Sequence, residues 1–127
     1  MELVEGIKGI KKIKVEDKDT AARYGSGLIE VFATPAMIGL METTAQLSVQ
    51  EYLPKGMITL GIEVNVKHLK ATPVGMNVSC ETILTKIDGK KLTFDVKAFD
   101  EIGEIGNGTH IRYIVDADKF MEKLNAK

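Results

Sequence analysis

Residues 31–50 read VFATPAMIGLMETTAQLSVQ. They hold one formal charge, Glu42, and the nearest charges outside the stretch are Glu30 and Glu51. Thr34 and Pro35 mark a helix start, with Thr34 suited to the N-cap and Pro35 to the first helical position. The helix is expected to run to about Tyr52, before Pro54 and Gly56 of LPKG stop it. A helix that is apolar, small or neutral on most sides has to be wrapped by other structure rather than laid on a surface. A lone carboxylate in such a helix needs a partner or a raised pKa.

The flanking sequence supplies the wrapping. Residues 6–16, GIKGIKKIKVE, alternate partly and read as a first strand. Residues 17–30, with Asp17, Asp19, Gly25, Ser26 and Gly27, read as an irregular loop. Beyond the helix the pattern changes to period two, giving strands over 57–69, 77–87, 91–100 and 104–116. Asp88-Gly89 signals a hairpin and Glu101 to Gly103 a second turn. The tail, DADKFMEKLNAK, is expected to form a short helix. One strand, one buried helix and four antiparallel strands make an α+β domain spanning residues 1–127. A single antiparallel sheet curled around one helix is the hotdog fold. Its exposed edge strands call for pairing, so a homodimer is expected.

The composition narrows the partners. The 127 residues carry 17 basic and 18 acidic side chains, a net charge of −1, which argues against a nucleic-acid or membrane-surface binder. No apolar run approaches the length of a membrane span, and MELVEGIKGIKK contains no signal-peptide core. The single cysteine, Cys80, cannot form an internal disulfide and suits a reducing compartment, so a cytoplasmic protein is expected. Cys80 has no His or Asp neighbours in sequence and reads as core filling. Two histidines and one cysteine show no metal-ligand spacing.

His68 gives the carboxylate a candidate companion. In 57–69 the even positions Ile58, Leu60, Ile62, Val64 and Val66 are apolar, which assigns them, with His68, to the face that meets the helix. Alone, His68 is a half-buried structural histidine. With Glu42 on the helix that this face covers, the pair becomes a candidate acid/base unit. Glu42 reads equally as part of a structural ion pair or as a residue at a wet interface. Thr34, as N-cap, closes the helix start, whose N–H donors and partial positive charge suit an oxyanion. Thr34 and Glu42 are eight residues apart, about 12 Å along the axis at roughly 1.5 Å per residue. One helix cannot bring both to one carbonyl, so a shared site takes each from a different subunit. His110, alternating with Arg112 in GTHIRYIV, reads as a structural or surface histidine, and the glycines of GEIGNG as points of close strand approach.

The segments EVFATPAMIGLMETTA, TLGIEVNVKHLKATPVGM and DEIGEIGNGTHIRYIVDADKF closely resemble the hotdog thioesterases related to fluoroacetyl-CoA thioesterase. The resemblance covers about residues 5–125 and is most specific in the Thr–x7–Glu–x25–His spacing of Thr34, Glu42 and His68. It implies that these three are a catalytic triad and that the substrate is a small acyl-CoA. Coenzyme A is then part of the substrate, and no separate cofactor is implied. It further implies that Arg112 holds the coenzyme A end and that the backbone of Gly61 lies beside the acyl group. Glu42 would be the nucleophile or the base that activates water, Thr34 would orient it or serve the oxyanion, and His68 would activate water or protonate the thiolate.

One departure stands out. Where the fluoroacetyl-specific enzymes carry a phenylalanine gate this chain has Leu28, and the second aromatic position of that lid is Gly25. A broader acyl range is therefore expected, with Leu28 at the mouth. Two other readings stay open. One is a non-catalytic acyl-CoA binding protein, against which the complete triad argues. The other is a hotdog hydratase or dehydratase, whose Asp–His loop pattern is absent.

Overall fold

The computed structural model describes residues 2–126. Strand β1 (Lys8–Lys14) is followed by a 3-10 turn (Asp17–Asp19), the one-turn helix α1 (Ala21–Tyr24) and the long helix α2 (Thr34–Gln50). Strands β2 (Met57–His68), β3 (Asn77–Asp88), β4 (Lys91–Phe99) and β5 (Glu104–Asp116) follow, then α3 (Ala117–Asn125). The sheet is antiparallel in the order β1-β3-β4-β5-β2, which leaves β1 and β2 at its edges. Every expected element is present. The loop before α2 is more ordered than its composition suggested, because it holds two short helical turns and is tied by bridges from Thr20 to Phe32 and from Val31 to Pro73. The β3–β4 hairpin turns on Gly89 and Lys90, with Gly89 at φ +61° in the first central position, where that sign is needed.

The core lies between α2 and the inner face of the sheet. Ala36, Met37, Leu40, Met41, Thr44, Ala45 and Val49 are buried on α2, at the spacing of one helical face. They meet Val78, Cys80 and Leu84 of β3 and Leu92, Phe94, Val96 and Ala98 of β4, all at most 1% exposed. Each large apolar side chain so buried contributes about 1.5–3 kcal/mol. Cys80 is a core filler, its thiol pushed up to about 11 by burial.

Three expectations need correction. First, the sheet wraps α2 as expected, but the helix is not buried all round. Glu42 is half-buried, Thr43 is exposed and Leu47 is 54% exposed, so one flank stays open. Second, Thr34 is not the N-cap. Ala33 holds that position with extended backbone and no side-chain cap, and Thr34 is already helical. Its hydroxyl is 2.8 Å from His68 Nδ1 instead of turned back on the helix. Third, the even positions of β2 do not share one face. Gly61 pairs with Arg112 and Glu63 with Ile111, so Ile62 is an extra residue in a β-bulge. Before the bulge Thr59 and Gly61 face α2; after it Val64, Val66 and His68 do. His68 reaches the expected face only because the bulge resets the alternation.

Of the three glycines of GEIGNG, Gly106 and Gly108 serve close approach, while a Cβ on Gly103 would meet open space. A Cβ on Gly106 would meet Met37 Sδ and the Lys67 carbonyl at 2.5 and 2.8 Å, and one on Gly108 would overlap the Asn65 carbonyl of β2.

Candidate active site

Two clusters form along α2, one at its start and one two turns further on. At the start, Thr34 Oγ1 and His68 Nδ1 are 2.8 Å apart, joining the first helical residue to the last residue of β2. Phe32, 1% exposed, stands edge-on to the imidazole at a centroid distance of 6.4 Å and fixes its plane. His68 Nε2 is buried with no hydrogen-bond partner among the described residues, a condition that native structures rarely leave without a use. Burial lowers the pKa of His68 below its ordinary value, against a smaller raising effect of the Lys70 backbone, and keeps the ring neutral at pH 7. A cleft of about 330 Å³ opens here, lined by Phe32, Thr34, His68, Leu69, Lys70 and Ala71. With no side-chain cap, the first amides of α2 stay available as donors beside it.

At the second cluster, Glu42 looks across at β2 and β5. A Cβ placed on Gly61 would lie 2.7 Å from Glu42 Oε2, 3.1 Å from His110 Cε1 and 3.3 Å from Arg112 Nη1. The missing side chain of Gly61 is therefore the space in which these three groups converge. Glu42 makes no hydrogen bond or ion pair among the described residues, although its charge raises the pKa of Arg112 against the larger lowering effect of burial. Arg112, 6% exposed, donates from Nε to Thr59 Oγ1 at 2.7 Å and from Nη2 to the Thr59 carbonyl at 2.9 Å. A free carboxylate facing a clamped guanidinium across a glycine can attack an electrophilic carbon or take a proton from water.

The structure thus joins Thr34 to His68 and groups Glu42 with Gly61 and Arg112. It does not bring the two groups together within the chain. Arg112 adjoins the open space at Gly61 and, with Glu42, lines a shallow cleft. Leu28 belongs to neither cluster and is 97% exposed. The sequence reading passed over His110 and Thr59 as members of the second cluster. Alternation placed His110 beside Arg112, but the bulge disguised Thr59 as an outward residue. Among the described residues, no three His, Cys, Asp or Glu side chains gather as a metal site, and no helix is long and apolar enough to cross a membrane.

Comparisons with known proteins bear on the family and the fold. The sequence model of the fluoroacetyl-CoA-specific thioesterase family matches residues 15–118. The fluoroacetyl-CoA thioesterase of Streptantibioticus cattleyicolor is 40% identical over 98 residues, 77% of this chain and 70% of that one. A solved structure of the fluoroacetyl-CoA thioesterase FlK superposes with a TM-score of 0.91 at 32% identity, covering 98% of this chain and 96% of that one. A hot-dog-like protein from Thermanaerovibrio acidaminovorans matches with a TM-score of 0.86 at 23% identity over 94% of this chain and 89% of its own, a likeness of fold. The expected hotdog architecture is confirmed.

Proposed function

The chain belongs to the fluoroacetyl-CoA-specific thioesterase family, and on that premise we propose that it hydrolyses small acyl-CoA thioesters at composite sites in a homodimer. The observation that carries this reading is the half-buried Glu42 carboxylate, unbonded and facing Arg112 over Gly61. No ion pair among the described residues accounts for it, which supports a chemical role.

In this reading Glu42 of one subunit works with Thr34 and His68 of the other. Two antiparallel α2 helices related by a two-fold axis would set the start of one near the middle of its partner. The open flank of α2 and the unpaired edge of β2, where Ile62 is 58% exposed, support such an association. The thioester carbonyl is attacked by the Glu42 carboxylate or by water that it deprotonates. The developing oxyanion is met by the uncapped N-terminus of α2. The C–S bond then breaks and coenzyme A leaves as its thiolate; where Glu42 itself has attacked, neutral His68 takes a proton from the water that cleaves the resulting anhydride, and that proton passes to the thiolate. Leu28 and Gly25 in place of aromatic gate residues support acyl groups bulkier than fluoroacetyl. A coenzyme A substrate and the single reduced cysteine support a cytoplasmic setting.

The test is free-thiol release from short, branched, aromatic and halogenated acyl-CoAs, with Glu42→Gln and His68→Ala beside wild type. Turnover that falls in both variants by about 10²–10⁴-fold is expected. No turnover, with thermal stabilisation by coenzyme A, would leave a binding protein. Undiminished turnover in both variants would remove the assigned triad.

A further inference from the structure

A hydrogen-bond chain behind Glu42 is not used by the chemistry above. His110 is 1% exposed on the inner face of β5, stacked at 6.3 Å and 29° on Phe94 of β4. Its Nδ1 lies 2.8 Å from the Glu63 carbonyl, which can only accept, so Nδ1 carries the proton. Its Nε2 lies 3.1 Å from Arg112 Nη1, which can only donate, so Nε2 presents a lone pair. The tautomer is thus fixed from both sides. Arg112 continues the chain to Thr59, so the links run from one side of the β2 bulge to the other and enclose Gly61.

We infer that His110 is a positioning residue, which holds the Arg112 guanidinium against Gly61 and Glu42 by accepting its Nη1 hydrogen and anchoring to the bulge carbonyl. The inference rests on Glu42 being the reacting carboxylate. Without the Nε2 lone pair the guanidinium keeps only its Thr59 bonds and can turn about them, and the charge facing Glu42 loses its place. The charged groups facing His110 are Arg112 from β5 and Glu42 from α2; β2 offers a backbone carbonyl and β4 a phenyl ring. Burial first, then Arg112, lower its pKa, against the Glu63 hydrogen bond and Glu42, so the ring stays neutral at pH 7.

Two substitutions separate the two nitrogens. The amide oxygen of His110→Gln reaches the Nε2 position and can accept from Arg112. The amide of His110→Asn reaches only the Nδ1 position and can donate to Glu63. The expected result is a kcat about ten- to a hundredfold lower in His110→Asn, with KM little changed, and a kcat within about threefold of wild type in His110→Gln. Equal losses in both would reduce His110 to packing and overturn the inference. The tautomer is read independently by nitrogen-15 NMR of the imidazole, with His68→Ala leaving one ring in the chain. Protonated Nδ1 with bare Nε2 is expected, and a protonated Nε2 at pH 7 overturns the inference. If wild type releases no thiol from any acyl-CoA, the thioesterase reading fails, and the Arg112 guanidinium signals decide the positioning role. Slowly exchanging, dispersed Nη resonances lost in His110→Asn and kept in His110→Gln support it, while identical spectra in the two variants refute it.

Discussion

Gly61 has the plainest chemistry of any residue near the site, because its importance lies in an atom it lacks. The nearest obstacle to a new Cβ is the far end of Glu42, at 2.7 Å, which can move aside, while His110 Cε1 at 3.1 Å and Arg112 Nη1 at 3.3 Å need give by only a few tenths of an ångström. Gly61→Ala is therefore expected to melt within a few degrees of wild type and to lose at least about tenfold in kcat, since displacement of a reacting group by about 1 Å is costly. A melting curve beside a thiol-release assay checks both halves. His68 offers a second test. With its pKa lowered by burial, the neutral ring needed as a base persists below the ordinary histidine value of about 6.5. The acid limb of kcat/KM should fall below that pH. A limb centred above it would mean that burial does not lower His68 in the free enzyme or that another group is the base.

The elements were more legible than their faces. Alternation and turn signals located all five strands, and the uncharged run around Glu42 located α2, because those signals are local. What a one-dimensional pattern does not carry is the bulge at Ile62. One extra residue reverses the facing of Met57–Gly61 while leaving His68 where simple alternation would put it. Thr59 was concealed by that reversal. Thr34 was legible as a special residue but not in its bonding, because N-cap preference says nothing of a histidine arriving from a strand 34 positions later. The Glu42 environment was half legible: the lone charge was evident, the glycine facing it was not. Close approach between β5 and β2 gives the element-scale prediction. Gly108→Ala drives a Cβ into the Asn65 carbonyl and Val66 of β2. Backbone atoms cannot move aside as a side chain can, so a loss of at least about 1–3 kcal/mol in urea denaturation is expected. A loss below experimental error would show that the two strands separate freely.

Acid stability is set by groups in three parts of the molecule. Asp100, with a fully buried carboxylate, is raised by desolvation, but hydrogen bonds from Lys70 at 2.6 Å, the Ile102 and Gly103 amides and Thr72 hold it well below the usual carboxylate range. A depressed carboxylate stabilises the fold above its unfolded pKa, and that stability drains as pH falls towards the folded value. His68 and His110 act with the same sign, since both bind protons more readily when unfolded. Stability should decline gently below about pH 6.5 and steeply below about pH 4. Asp100→Asn should lose about 1–3 kcal/mol at pH 7 and flatten the lower limb, as denaturant titrations across pH would read. At the same scale, Ile62→Lys on the open edge of β2 should leave a folded monomer by ultracentrifugation, with turnover lost.

The separation of Thr34 from Glu42 by two turns of α2 has a genetic consequence. If each site draws Glu42 from one chain and His68 from its partner, a Glu42→Gln chain paired with a His68→Ala chain has one doubly defective site and one intact. Two inactive alleles expressed together would then complement, restoring about a quarter of the wild-type activity when chains pair at random in equal amounts. A site confined to a single chain would give none.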